Sequence, residues 1–130
     1  MVMDEHPFMK ALLLALGSQP WCRVWRQNCG GVLVRDARGR VQRRFDAGPP
    51  AGVADISGFT RPDGWRLEIE VKAAGGRRAP NQIRFAELAR ANGVVHVFVE
   101  YDEELSLAQN VERAVELVQQ AITERRARAA

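Results

Sequence analysis

Residues 52–72 of this chain read GVADISGFTRPDGWRLEIEVK, two β-strand patterns joined by a short turn. Apolar and charged residues alternate along WRLEIEVK (residues 65–72), so Glu70 and Lys72 share one face of the second strand. The segment between the strands, residues 60–64, contains Pro and Gly, which favour the corners of tight turns. The stretch therefore predicts a β-hairpin.

The register of this hairpin determines which side chains meet across it. A turn centred between Pro62 and Asp63 places Asp55 directly opposite Glu70, whereas a turn centred between residues 63 and 64 places it opposite Lys72. Both registers put these three side chains on one face. Opposed residues have Cβ atoms roughly 5 Å apart, so two carboxylates there need a cation or a raised pKa. Oxygen ligands of this kind favour Mg²⁺ or Mn²⁺ over zinc, while the alternative is an ordinary solvated face of alternating charges.

The bulk properties predict one globular domain spanning residues 1–130. Hydrophobic residues make up 46% of the chain and charged residues 27%, which is usual for a folded domain. The 19 Lys and Arg residues exceed the 16 Asp and Glu residues, for a net charge of +3. Seventeen of these cations are Arg, which suits phosphate contacts, but so small a net charge does not by itself establish nucleic-acid binding.

Cysteine usage and the chain start predict a cytoplasmic protein. Cys22 and Cys29 fit no metal-binding spacing, so we expect free thiols in a reducing compartment. The first residues, MVMDEHPF, are acidic rather than basic, and no signal peptide is expected. The apolar run at residues 9–16 is too short to span a membrane.

The order of predicted elements is helix, strands, helix, strand, helix, an α/β pattern. Helices are predicted at residues 4–18, 81–91 and 107–126, and short strands at 21–27, 32–34 and 94–99 in addition to the hairpin. The strand–helix–strand step from residue 65 to 99 predicts a parallel pair. Residues 35–48 predict a loop or a hairpin excursion. The side chains expected to be buried in the first two helices are Phe8, Leu12, Leu16, Ile83, Phe85, Leu88 and Ala89.

Several other residues have ordinary structural interpretations. Glu68 is expected at the rim of the acidic face, and His96, inside the apolar run VVHVFV, is expected to be a core histidine with its hydrogen bonds satisfied. The three tryptophans could stack on bases, although packing in the core is the favoured interpretation; they are Trp21, Trp25 and Trp65.

The Asp, the Glu-x-Lys and the following helix resemble the PD-(D/E)xK nuclease superfamily. The chain is most similar to the VRR-NUC type, which includes stand-alone, Holliday-junction-resolvase-like nucleases of phages and bacteria. One position departs from the pattern, because Ala54 rather than Pro precedes Asp55. The matching features are Trp25-Arg26-Gln27-Asn28, Gly30-Gly31, the glycine-containing approach to Asp55, Ile56, Gly58, Glu70-Val71-Lys72, and Gln82 three residues before Phe85.

The resemblance implies a restriction-endonuclease-like α-β-β-β-α-β core with a mixed sheet and an additional C-terminal helix. It implies that Asp55 and Glu70 bind Mg²⁺ or Mn²⁺, with the Val71 carbonyl as a third ligand. Glu5, on the first helix, matches an acidic position that completes the site in several relatives, although an acidic residue there also complements the helix dipole.

The resemblance also implies how the remaining site residues act. Lys72 would orient or help to deprotonate the attacking water and stabilise charge on the phosphate. Gln82 would hold a water molecule or the lysine. The predicted catalytic set is therefore Asp55, Glu70, Lys72 and Gln82. Candidate nucleic-acid contacts are Arg26, Asn28, Arg77, Arg78 and Arg84.

The expected function is a metal-dependent endonuclease acting on structured or branched DNA, such as junctions or flaps. A homodimer is common among stand-alone members of the family, and no membrane association is expected. Two alternatives remain: a nucleic-acid-binding module that keeps the fold with little activity, and an exonuclease or RNase that uses the same site.

Overall fold

The computed structural model describes the backbone of residues 5–27, 32–45 and 52–129, and the side chains of residues 7–27, 35–42 and 52–129. Within these ranges, three helices and six strands form a mixed α/β structure. In chain order they are α1 (Glu5–Gly17), β1 (Cys22–Arg26), β2 (Val32–Arg35), β3 (Val41–Phe45), β4 (Ile56–Thr60), β5 (Arg66–Lys72), α2 (Pro80–Ala91), β6 (Val95–Glu100) and α3 (Leu107–Ala129).

The main sheet is mixed and has the strand order β1-β4-β5-β6. Strand β4 pairs antiparallel with both β1 and β5, and β5 pairs parallel with β6. The parallel pair predicted around α2 is therefore confirmed. Strands β2 and β3 form a separate antiparallel hairpin, which confirms the hairpin alternative for residues 35–45, while residues 46–48 of that prediction lie outside the described residues.

The central hairpin adopts the first of the two predicted registers. Ile56 pairs with Ile69, and Phe59 pairs with Arg66. Continued by one residue, this register places Asp55 beside Glu70 rather than beside Lys72. The strand observed is shorter than the sequence pattern indicates, because β4 begins at Ile56 and Asp55 lies just before it.

One face of the main sheet is covered by α1 and α3 and forms the hydrophobic core. Ile69 and Val71 of β5 are fully buried there, as are Val118 and Ile122 of α3. The predicted helical stripe on α1 is confirmed. Its three residues, Phe8, Leu12 and Leu16, are all 0% exposed.

Among the described helices, α2 packs on the other face of the sheet, where it covers β6. The side of α2 that faces the sheet carries Ala86 and Ala89, which are buried. Ile83 and Leu88, expected to be buried, are instead 41% and 62% exposed. The prediction was wrong because α2 lies over an edge strand, where small alanines permit close contact and large apolar residues are not required. Among the described residues, no helix combines the length and apolar character needed to cross a bilayer.

Candidate functional site

The sheet face on which α2 packs brings the predicted acidic residues together. Glu70 of β5 lies beside Phe98 of β6 in the strand register, and Asp55 lies on the other side, just before β4. Glu70 is only 3% exposed, since β5 is an interior strand with neighbours on both edges. A carboxylate this buried is costly unless polar groups or a cation compensate it.

Asp55 is held against β5 by a backbone hydrogen bond. The ladder between β4 and β5 ends at Ile56–Ile69, and the next amide on that edge of β5, that of Val71, donates to Asp55 Oδ2 at 2.9 Å. The side chain of Asp55 thus continues the pairing where the β4 backbone has left the ladder. The aspartate is thereby fixed next to the Glu70-Val71-Lys72 segment.

The alternating direction of backbone groups along β5 determines where the carbonyl of Val71 points. The Lys72 carbonyl accepts a hydrogen bond from the Tyr101 amide at 2.9 Å, so Lys72 directs its backbone groups toward β6. Successive residues of a strand direct these groups to opposite edges. The carbonyl of Val71 therefore points to the β4 edge, the edge on which Asp55 lies.

Gln82, at the start of α2, connects the two charged residues of the Glu-x-Lys segment. Its Oε1 accepts from Lys72 Nζ at 2.6 Å, and its Nε2 donates to Glu70 Oε1 at 3.0 Å. Lys72 Nζ lies 3.9 Å from Glu70 Oε1, a longer ion pair. Gln82 Oε1 also accepts the amide hydrogen of Ala79 at 2.9 Å, so the residue that orients the lysine also caps its helix.

Gly52 brings the segment before Asp55 into contact with the start of α2. Its φ of +89° lies in the left-handed region, and a Cβ at this position would overlap the carbonyl oxygen of Asn81. Only glycine satisfies both conditions without displacing the helix. The sequence pattern showed a glycine in the approach to Asp55 but gave no sign of its contact with α2.

Glu68 lies deeper in the sheet than expected. It is 0% exposed, so the expectation of a rim position was wrong. Its Oε1 accepts from Ser57 Oγ at 3.1 Å and from Arg66 Nε at 2.5 Å, while its Oε2 has no hydrogen-bond partner among the described residues. Glu68 lies two residues from Glu70 on the same face but forms a separate cluster with Ser57 and Arg66.

His96 is buried, as expected, but its hydrogen bonds are not satisfied within the described residues. Neither ring nitrogen has a partner there, and the ring packs between Phe85 and Phe98 with centroid distances of 5.8 and 4.9 Å. Burial, followed by the charges of Arg90 and Arg78, lowers the pKa of His96 from 6.5 to about 4. The imidazole is therefore neutral at physiological pH.

The candidate nucleic-acid contacts do not all lie near the acidic pair. Arg77 and Arg78 are exposed in the loop before α2, and the Arg78 guanidinium lies 4.0 Å from the centre of the Phe98 ring. Arg84 is exposed, about 200° around α2 from Gln82. Arg26 lies on the opposite face of the sheet, beside α1. Asn28 and the side chain of Glu5 lie outside the described residues.

The tryptophans divide into two groups. Trp21 packs against the hydrophobic core, and the Arg125 guanidinium lies 4.2 Å from the centre of the Trp65 ring. Trp25 is 47% exposed and contacts Phe59, which is 39% exposed. The packing interpretation was therefore wrong for Trp25, which lies on the part of the sheet that α2 does not reach.

The donor chemistry around Asp55 and Glu70 fits a hard divalent cation. Two carboxylates and the Val71 carbonyl are oxygen donors, and Mg²⁺ commonly keeps several waters beside one or two carboxylates. In the side chains described here, no group of three or more His, Cys, Asp or Glu residues could hold a metal ion. Among the described residues, the ligands available to a cation are therefore the two carboxylates and the Val71 carbonyl, completed by water.

No protein-family model matches this chain, and no curated protein sequence matches it. Its functional interpretation therefore depends on the residues themselves and on the contacts between them.

Proposed function

We propose that this protein is a Mg²⁺- or Mn²⁺-dependent DNA endonuclease of the PD-(D/E)xK superfamily, of the VRR-NUC type. The observation that carries the proposal is the connected set on one sheet face. Asp55 bonds to the Val71 amide, and Gln82 bonds to both Glu70 and Lys72. Acidic residues, a lysine and a glutamine converge there from three separate elements, although the sequence spreads them over 28 positions.

The order of elements supports the same proposal. With the β2–β3 hairpin set aside, the chain runs α1-β1-β4-β5-α2-β6 and then α3. This order agrees with the α-β-β-β-α-β core and added helix that the resemblance implies. Asp55 directly precedes the second core strand, and Glu70 lies on the third.

In this proposal Asp55 and Glu70 bind the cation together with the Val71 carbonyl. When bound, the cation would act as a Lewis acid toward the phosphate and toward water. Asp55 can do this while one oxygen remains bonded to the Val71 amide, because a carboxylate accepts several hydrogen bonds. The peptide segment that supplies Glu70 thus also fixes the position of Asp55.

Lys72 orients the attacking water and stabilises charge that develops on the phosphate oxygens. Its side chain is 14% exposed, and its ammonium group is fixed by the 2.6 Å bond to Gln82. A donor held in place before the reaction stabilises the transition state without the cost of reorganising. Gln82 therefore positions Lys72 rather than contacting the substrate itself.

A buried carboxylate beside a lysine favours catalysis over passive binding. A module that only binds DNA has no use for a 3%-exposed Glu70, because buried acids repel phosphates and reduce stability.

We also propose branched DNA as the substrate, a homodimer as the assembly and the cytoplasm as the location. The buried free thiol of Cys22, whose pKa burial raises to about 11, suits a reducing compartment.

A cleavage panel tests the proposal. Purified protein is incubated with junction, flap, duplex and single-stranded DNA and with RNA, each with Mg²⁺, Mn²⁺ or EDTA. We expect internal cuts in a DNA substrate that EDTA stops and Asp55→Ala abolishes. Glu104→Ala, which removes an exposed acid, is the matched control and should cut like the wild type.

The same panel separates the alternatives. Release of mononucleotides from DNA ends identifies an exonuclease, and cleavage of RNA alone identifies an RNase. Binding without cleavage under every condition identifies the inactive module and refutes the proposal. If Lys72→Ala cuts as fast as the wild type, the role assigned to the lysine is wrong.

A further inference from the structure

Two exposed aromatic rings lie beside the acidic pair on the same face of the sheet. Trp25 pairs with Ser57 in the β1–β4 register, and Ser57 pairs with Glu68, so Trp25 points to the face that carries Glu70. Phe59 lies diagonally across from Trp25, with ring centroids 6.1 Å apart and an interplanar angle of 62°. We call Trp25 and Phe59 the aromatic ledge.

The ledge is open to solvent because the described helices pack elsewhere. Helices α1 and α3 cover the opposite face, and α2 packs on β6, at the far edge of the sheet. Trp25 and Phe59 keep 47% and 39% of their surface exposed, although their contact with each other already covers part of each ring. Large aromatic rings that remain this exposed next to a polar site mark a binding surface.

The charges around the ledge match a phosphate-bearing ligand. Arg23 lies directly opposite Phe59 on β1. Arg66 lies opposite Phe59 on β5, and 57% of its side chain stays exposed although its Nε bonds to Glu68. The carboxylate of this part of the face belongs to Glu68, which is fully buried. An incoming ligand therefore meets aromatic rings and guanidinium groups, the combination that binds nucleobases and their phosphates.

The ledge is also close enough to serve the acidic pair. Side chains on one face of a strand repeat every second residue, a spacing of about 6.6 Å. Ser57, which pairs with Trp25, is two residues from Asp55, so Trp25 is a diagonal neighbour of Asp55 at a distance of about 7–8 Å. A base attached next to a phosphate at Asp55 and Glu70 is within reach of Trp25.

We propose that the aromatic ledge stacks an unpaired base of the DNA strand, next to the phosphodiester bond that is cut. The inference rests on the proposed nuclease function and narrows its substrate class. Bases of a continuous duplex are already stacked on each other, and extracting one costs free energy. The preferred substrates are therefore DNAs that carry an unpaired nucleotide at the cut site, such as flaps, gaps and branch points.

Binding measurements without cleavage test this inference. A fluorescent thymidine 20-mer is compared by anisotropy with an abasic 20-mer of the same phosphate backbone, in Ca²⁺ buffer. For the wild type, removal of the bases should weaken binding roughly 5- to 150-fold, the range expected for stacking one base. Trp25→Ala should bind the thymidine strand less tightly and lose most of this discrimination, whereas Trp25→Tyr should retain it.

Two further variants separate stacking from folding. Phe59→Ala should also lose discrimination, and Leu88→Ala, which removes an exposed apolar residue of α2, should not. If Trp25→Ala discriminates as well as the wild type, or if it weakens binding to both strands equally, the inference is wrong. The inference would also be wrong if Trp25→Ala weakened the binding of a uridine RNA more than the binding of the thymidine DNA.

The two proposals fail in different ways. A protein that cuts DNA but binds it independently of Trp25 contradicts only the role of the ledge. A protein that binds unpaired DNA through Trp25 but cuts no substrate contradicts only the nuclease proposal.

Discussion

Replacing Gln82 with alanine removes three hydrogen bonds that meet at one side chain. These bonds connect Gln82 to Lys72 at 2.6 Å, to Glu70 at 3.0 Å and to the Ala79 amide at 2.9 Å. The first two involve charged groups that are largely buried, and the third is an ordinary helix cap. The variant therefore tests whether Gln82 stabilises the charged pair or only the start of α2.

The expected cost follows from these contacts. A hydrogen bond to a charged group contributes about 1.5–3 kcal/mol, and a lost cap costs about 1 kcal/mol. Gln82 is half-buried, so water can enter part of the space that alanine leaves, which reduces the sum. We expect Gln82→Ala to lower the free energy of unfolding by about 3 kcal/mol, or Tm by roughly 10 °C for a domain of this size.

Gln109 provides a matched control at the start of α3. Its Oε1 accepts from the Ser106 amide at 2.9 Å, the same capping bond, but at an exposed position with no charged partner. Gln109→Ala should therefore cost only about 1 kcal/mol. Urea unfolding in metal-free buffer, followed by circular dichroism, measures the free energy of unfolding of both variants. If the two variants lose equal stability, Gln82 does not hold the charged pair and the positioning role is refuted.

Two further predictions concern His96 and Gly52, which lie near the site. Because His96 has a pKa of about 4 in the folded chain against 6.5 ordinarily, the unfolded state binds the proton first as pH falls, and stability is lost from pH 6.5 downward. We expect the free energy of unfolding to fall by about 2 kcal/mol between about pH 7 and about pH 5. Urea unfolding of His96→Phe at each pH should show no such fall. A variant whose stability depends on pH as steeply as that of the wild type would contradict this prediction. Gly52→Ala should lower the free energy of unfolding by about 3 kcal/mol or more, since it combines a positive φ with a clash against Asn81. Gly64 is the control: it has a φ of +73° and no atom within contact of an added Cβ, so Gly64→Ala should cost only about 1 kcal/mol. Equal losses in urea unfolding would show that the Gly52 contact with α2 is unimportant.

The sequence predicted the elements and the hairpin because their signals are local. Alternation along residues 65–72 identified the face of Glu70 and Lys72, and the helical stripe of α1 identified Phe8 and its neighbours. Two registers remained possible for Asp55, because the turn permits both. The observed pairing of Ile56 with Ile69 corresponds to the register that places Asp55 beside Glu70.

The remaining features depend on which elements cover each other, and local patterns do not specify this. Glu68 is buried because β5 is an interior strand, and Trp25 is exposed because no described helix packs over β1 on that face. Leu88 is exposed because α2 contacts the sheet through alanines. The hydrogen bonds of Gln82 to Glu70 and Lys72 depend on where α2 packs, and the sequence pattern did not predict that position.

The measurement that tests the metal site most directly is a titration with Mn²⁺, in which electron paramagnetic resonance reports the free ion. The wild type should bind one Mn²⁺ per chain at the acidic pair. Asp55→Asn and Glu70→Gln should each lose this binding, while Glu104→Gln should retain it. Wild-type protein that leaves all the Mn²⁺ free, or site variants that bind it as well as the wild type, would contradict a metal-dependent nuclease.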